Sequence, residues 1–371
     1  MKASSLILSI GVVALACAAC VPPPAPVATE AVRAAPPACD PAPFLSKVSV
    51  LRIPFDPTAV GANYSAPVGI GPVSGVIAQD LGNAYCIAPQ FLKQQLLGLT
   101  GIYVNPTGCT QGDPNNCNIS DTQVTSNSWG YRERPNQSHN AGRYIAMSAG
   151  LWNQGNHAPG LHDFETKLLT ILLQWSGPSG PQYAAATPDG PEITTLAALA
   201  HEMGHVFWYD INAKVPGQNY DPKRFCSGNF FDSYWQNVNT PPRWRQFGTR
   251  QDHHGHGYVD VKDVDNAIAA GNLTLAGALL ATGSTSGDIG IYPPNAPWAS
   301  FFGAISPDED FVETYKFYVL TQAGLTSLPL QISSQPTRDI PSDYLGKMKP
   351  KLDGKIPCIV AALPGNATLR K

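Results

Sequence analysis

Apolar side chains recur along the chain at two spacings, one of helices and one of strands. In "HDFETKLLTILLQW", residues 162–175, they stand at 164, 168, 171, 172 and 175. That period of about 3.6 predicts an amphipathic helix opening near Asp163. "DGPEITTLAALAHEMGHVFW", 189–208, predicts a second helix, opened by Pro191 and Glu192, both suited to a first turn. "SPDEDFVETYKFYVLTQAG", 306–324, predicts a third, with Ser306 as N-cap, Pro307 at the first position and Gly324 as its stop. Shorter helices are expected in "APQFLKQQLLGL", 88–99, with Leu92, Leu96 and Leu97 on one side and Gly98 ending it, and in "DVKDVDNAIAAGN", 260–272. "VSVLRIPF" (48–55), "SGVIAQD" (74–80), "GIYVNP" (101–106) and "GRYIAMSAG" (142–150) read as strands. Residues 210 to about 300 are loop-rich, and no internal repeat is visible. The result is an α+β chain, β-rich to about residue 150.

Composition sharpens this organisation. At 371 residues the chain can bury a large core, and 43% hydrophobic content argues for a folded protein. Its 34 glycines and 35 prolines predict long loops. A net charge of −3 supplies no basic footprint, which argues against nucleic acid as a partner. At the N-terminus Lys2 precedes "SLILSIGVVALACAAC", an apolar run ending in small residues, which has the layout of a secretory signal over 1–19 and is short for a membrane span. No later segment is apolar for 18 residues. Cys20 follows Ala18-Ala19 and resembles a lipidation site, although Cys17 stands where such a motif carries Leu. A lipid-anchored envelope protein and a freely secreted one both fit.

Residues 20–43, rich in Pro and Ala, read as an extended tether; 44–330 as the globular domain; and 331–371 as a C-terminal extension packed on it. Export permits disulfides, and six cysteines remain beyond the signal region: 39, 86, 109, 117, 226 and 358. Cys109 and Cys117 bracket the turn-rich "TQGDPNN" and are the expected pair; the other four allow three pairings.

The chemistry centres on "LAALAHEMGHVFW", 196–208. His201 and His205 are four residues apart, so on a helix they share a face and can both reach one zinc ion at about 2.0–2.1 Å. Glu202 between them turns toward the cleft, where it can act on a zinc-bound water. Gly204 costs a helix about 1 kcal/mol relative to Ala, a cost easier to accept where something packs closely. A catalytic zinc needs a third protein ligand and one open position. No third histidine follows in the HxxGxxH manner, since Val206, Phe207, Trp208 and Tyr209 come next. Carboxylates stand instead on the helix of 306–324. Glu309 and Glu313 share a face there, while Ser306 and Glu309 also have capping-box spacing, and Asp308 and Asp310 suit the helix macrodipole.

These two segments, about 190–210 and 306–322, resemble the gluzincin class of zinc metallopeptidases, in which an H-E-x-x-H helix is completed by a Glu from a later helix. "EDFVE" is similar to the E-x-F-x-E pattern of its lethal-factor-like members. The resemblance implies a zincin-like fold for 44–330, Zn2+ held by His201, His205 and Glu309, and Glu313 as the carboxylate that orients a ligating histidine. It also implies hydrolysis of a protein or peptide substrate with Glu202 as general base. A zinc amidohydrolase acting on cell-wall amides is the first alternative. The second is a non-catalytic, envelope-anchored zinc-binding module, for which Glu202 would have no use. Tyr258, Tyr292, His254 and His256 are candidates for oxyanion stabilisation. "DHHGHG", 252–257, with His253, His254 and His256, reads as a solvated loop before it reads as a second metal site. His139, His157 and His162 are expected to be structural or at the surface. No phosphate loop, serine elbow or dinucleotide fingerprint is present.

Overall fold

The computed structural model describes residues 39–51, 67–106, 128–132, 142–173, 182–212, 226, 229–230, 235–239, 242–246, 298–300, 302–304, 307–331, 337–346 and 354–364. The chain divides into Met1–Cys39 and Asp40–Lys371, and Cys39 alone of the first unit is among the described residues. The second unit is α+β. Its main sheet comprises β1 (Val48–Leu51), β2 (Gly69–Pro72), β3 (Gly101–Asn105), β4 (Trp129–Arg132) and β5 (Arg143–Ser148), in the order β2-β1-β3-β5-β4. β1, β3 and β5 run parallel, and the two end strands are antiparallel to their neighbours. The near-continuous apolar sequences of β3 and β5 suit central parallel strands covered on both faces. Alternation then divides their side chains. Ile102, Val104, Ile145 and Met147 enter the main core, whereas Tyr103, Tyr144 and Ala146 join Leu51 in a second cluster.

Three helices, α1 (Ala42–Leu45), α2 (Gly75–Ile87) and α3 (Gln90–Leu97), belong to this half. α2 corrects the reading of "SGVIAQD" as a strand. The seven-residue window shows an apolar cluster, but the period emerges only beyond it, where Ile77, Leu81, Ala84 and Tyr85 bury one helical face. α1 moves a boundary. Ala42 and Pro43, which composition assigns to the tether, are helical; the Ala42 amide donates to Asp40 Oδ1 at 2.9 Å, and the Phe44 ring stacks on Tyr85 at 4.7 Å. The predicted strands of 101–106 and 142–150 and the helix of 88–99 stand as β3, β5 and α3.

The second half is built from α4 (Leu161–Leu173), α5 (Pro191–Asn212) and α6 (Pro307–Gln322), followed by α7 (Ile340–Leu345) and α8 (Lys355–Ala362). α4, α5 and α6 match the three long periodic segments. α5 runs through the core and packs against β4, β5, α2 and α6. Leu196, Leu199, Ala200, Met203, Val206, Phe207 and Trp208 are all buried. Gly204 marks the closest approach: a Cβ there would lie 3.2 Å from both Cα and Cγ1 of Val312. α6 ends at a left-handed Gly324, φ +104°, which fits glycine as its stop. A small sheet of β6 (Gln182–Tyr183), β9 (Pro329–Gln331) and β10 (Arg338–Asp339), in the order β10-β9-β6, lies beyond. Within the loop-rich stretch, β7 (Trp235–Asn239) and β8 (Pro242–Gln246) pair antiparallel.

The C-terminal stretch is part of the core. Cys358 on α8 is disulfide-bonded to Cys226, and Cys39 and Cys86 are also disulfide-bonded. The expected Cys109–Cys117 pair and the helix of 260–272 lie outside the described residues. Lys355, at the start of α8, donates to both oxygens of Asp310 at 3.0 and 2.8 Å, and both residues are fully buried. Asp310 is therefore no solvated first-turn acid, as the macrodipole argument has it; it anchors α8 to α6. No helix among the described residues is long and apolar enough to cross a membrane.

Two substitutions test this packing by denaturant unfolding. Lys355→Met removes the ammonium from a buried pair and should cost about 3–5 kcal/mol. Gly204→Val overpacks the contact with Val312 and should cost about 1–3 kcal/mol. A Gly204→Val protein as stable as the parent would show that α6 has room to retreat.

Candidate metal centre

The helical period puts His201 and His205 one turn apart on α5, and their rings lie 5.1 Å apart between centroids. α6 crosses beside them and brings Glu309 to both. Glu309 Oε2 lies 3.7 Å from His201 Nε2, and Oε1 lies 3.4 Å from His205 Nε2. One ligand atom from each of the three residues lies within 4.8 Å of the others. His201 Nδ1 is turned the other way and donates to Glu313 Oε1 at 2.6 Å, which leaves Nε2 facing the triad. Glu313 is fully buried, and its Oε2 accepts from Ser300 Oγ and from Lys316 Nζ, the latter at 2.7 Å. Glu202 is 4% exposed, and its Oε2 has no hydrogen-bond partner among the described residues.

Two imidazole nitrogens and one carboxylate are the protein donor set that a catalytic zinc takes when a fourth position is left to water or substrate. The carboxylate behind His201 is the usual support for such a ligand. The side chains present therefore fit Zn2+: His201, His205 and Glu309 would hold it, and Glu202 would stand beside it without ligating.

β4 closes in on the same helix. A Cβ on Gly130 would fall 2.0 Å from the Glu202 carbonyl oxygen and 2.8 Å from His205 Cβ. Only a glycine lets the strand lie directly on the H-E-x-x-H turn. β4 ends the sheet among the described residues, so an antiparallel end strand runs alongside the candidate site.

Electrostatics separates the three carboxylates and the two imidazoles. Burial opposes the charge on His201, but the hydrogen bond to Glu313 and the charges of Glu202, Glu309 and Glu313 prevail and raise its pKa to about 9. Burial and the His201 charge lower His205 to about 3. Burial raises Glu309 to about 8, against the pull of His201, and raises Glu202 to about 7 against the same pull. Glu313 goes the other way. Burial would raise it, but Lys316 and the bond to His201 hold it down, at about 2.

All five residues picked out by the motif and the downstream helix thus come together. Whether Ser306 caps the helix lies outside the described residues, as do His139, His253, His254, His256, Tyr258 and Tyr292. His157 and His162 are held by carboxylates away from the triad: His157 Nδ1 by the buried Asp80 at 2.6 Å, and His162 by Asp189 and Asp163. Sequence reading missed Ser300, Lys316 and Glu165, whose carboxylate accepts from Lys316 at 2.8 Å. A signal for Lys316 exists, since 309, 313 and 316 form one helical stripe. Lysine in a helix nonetheless reads as a surface residue. No family model, no curated protein and no solved structure matches the chain.

These protonation states give the site a pH signature. Metal ligation requires deprotonated ligands. Because the pKa of His201 (about 9) and that of Glu309 (about 8) are both raised, each holds a proton at neutral pH that a metal must displace. His205, lowered to about 3, contributes none. Zinc affinity should therefore rise with pH, by up to about tenfold per unit for each proton displaced, and level off above about 9. Chelator competition across that range checks the slope, and calorimetry in two buffers counts the protons released; a flat profile would contradict it.

Proposed function

We propose that this chain is an exported zinc metallopeptidase of gluzincin type, with a zincin-like fold and Glu202 as its general base. The observation that carries this reading is the convergence of His201 and His205 from α5 with Glu309 from α6, their ligand atoms within 4.8 Å of one another. The hold of Glu313 on the far nitrogen of His201 adds to it. A bound zinc ion would supply Lewis acidity toward a scissile carbonyl and bring the pKa of its bound water to about 7. Glu202 would take the proton of the attacking water and deliver it to the leaving nitrogen. Its pKa of about 7 lies near the working pH, as a group that must both accept and release a proton requires. Glu313 would keep His201 in the tautomer that leaves Nε2 for the metal.

A peptide is favoured over a cell-wall amide as substrate by β4. An extended chain can add its main-chain hydrogen bonds to an end strand, and Gly130 sets that strand against Glu202. The non-catalytic alternative leaves unexplained a buried Glu202 whose Oε2 has no hydrogen-bond partner among the described residues. Export rests on the signal-like 1–19 and on the disulfide-bonded cysteines, with Cys20 as a lipid anchor at the envelope or removed from a secreted form.

Casein digestion with and without chelator, alongside zinc analysis, tests the reading. Glu202→Gln should keep its zinc and lose about 10²–10⁴-fold in turnover. Glu309→Ala should lose both zinc and activity. If Glu202→Gln cleaved as well as the parent, the proposed mechanism would be wrong; a parent chain that binds zinc but cleaves no peptide would return the alternatives.

A further inference from the structure

The metal centre has an outer layer that the triad does not explain. Glu309, Glu313 and Lys316 follow one another along a single face of α6. Lys316 Nζ lies 2.7 Å from Glu313 Oε2 and 2.8 Å from Glu165 Oε1, so one ammonium bridges two carboxylates. All three side chains are buried: Glu313 fully, Glu165 to within 3% and Lys316 to within 4%. Glu165 comes from α4. The bridge therefore joins α4 to α6, and Glu313 carries it on to His201 of α5.

We propose that Lys316, anchored by Glu165, is a positioning residue for the metal centre: through Glu313 it fixes the imidazole of His201 in ligating orientation. The proposal rests on the zinc reading above, although its geometry stands apart from the triad. Ion pairs this deep are costly to assemble, and packed apolar side chains of similar size often serve stability as well or better. Stability alone is thus a weak reason for a buried lysine between two glutamates. A reason tied to the site follows from what each oxygen of Glu313 does. Oε1 accepts the hydrogen bond of His201 Nδ1, and Oε2 is held by Ser300 and Lys316. The carboxylate cannot rotate without breaking one of these bonds. Without Lys316, Glu313 and Glu165 would face each other in a low-dielectric interior with no cation between them, and Glu313 would lose the partner that sets its plane.

Zinc affinity and the visible spectrum of the cobalt(II)-substituted full-length protein test this, since both read ligand geometry in folded protein and neither depends on turnover. Lys316→Met should weaken zinc binding by about 10–100-fold, as the loss of a group behind a ligand does, and should shift the cobalt bands. Glu165→Gln, which keeps a partner for Lys316 but not the charge, should shift both in the same direction by less. Lys316→Met/Glu165→Met removes the bridge without leaving two buried glutamates to face each other, so it decides the matter if the single variant fails to fold; its zinc affinity should be weakened as well. Folded variants with parental zinc affinity and an unchanged cobalt spectrum, altered only in thermal stability, would overturn the proposal. A parent chain that binds no zinc would instead overturn the reading on which it rests.

Discussion

The contact between Gly204 and Val312 is the constraint on which the site depends. A helix interior gives up about 1 kcal/mol by carrying Gly in place of Ala, and here the missing side chain is what lets α6 approach α5. A Cβ would already stand 3.2 Å from the Val312 backbone, tighter than an ordinary van der Waals contact. With Val312 seated on Gly204, Glu309 and Glu313, one turn apart on α6, reach His201 at its two opposite nitrogens. Were the helices separated by a larger residue, the carboxylates would fall short of the imidazoles. Gly130 repeats the device on the other side, where β4 presses on the backbone at Glu202. The H-E-x-x-H turn is thus held between two glycine-mediated contacts, one with a helix and one with a strand.

Around that turn the aromatic packing is continuous. Phe207 contacts Phe311 and Tyr315, while Trp208 contacts Phe311 and Phe230, with ring centroids 5.0–6.3 Å apart. Phe311 and Tyr315 lie one turn apart on α6, between Glu309 and the end of the helix. The residues that bury the helix pair therefore alternate with those that face the metal centre. Lys355, inserted from α8 onto Asp310, pins α6 at the position next to Glu309. Rigidity of this kind would serve the proposed ligation, because a metal site loses affinity when its ligands must be ordered on binding.

The sequence made the long helices legible because each carries a 3.6-residue apolar period together with a start or stop signal: Pro191 for α5, Pro307 and Gly324 for α6. The H-E-x-x-H spacing is local, so it too could be read directly. α2 was hidden because its period shows only over Gly75–Ile87, and a seven-residue apolar cluster suits a strand equally well. Partnerships over long separations left no mark of their own. His201 and Glu313 stand 112 residues apart, Lys316 and Glu165 stand 151 apart, and Asp310 finds Lys355 from 45 residues away. Local rules assign each of these charged groups to solvent or to a helix dipole, and only tertiary packing overrides that assignment. The resemblance to gluzincins linked Glu309 and Glu313 to the histidines, but nothing in the pattern of 306–324 extended the link to Lys316.

Buried charge gives the three glutamates around His201 different roles from similar surroundings. Burial alone would protonate each of them, and it does raise Glu202 and Glu309, to about 7 and about 8. Glu313 escapes because it is the one that faces Lys316 and accepts from His201 Nδ1. An anionic Glu313 favours a proton on that nitrogen and thereby leaves Nε2 as the atom that a metal at this site would take. Glu309, raised chiefly by its burial, holds a proton near neutrality that a metal at the imidazoles would have to displace. Glu202, intermediate between them, can exchange its proton near neutrality, which is what a general base must do. One lysine on one side of the site thus separates Glu313 from Glu309 and Glu202, for which the proposed roles are ligand and base. The order of charges along the stripe from 309 to 316 is therefore as much a part of the site as the histidines.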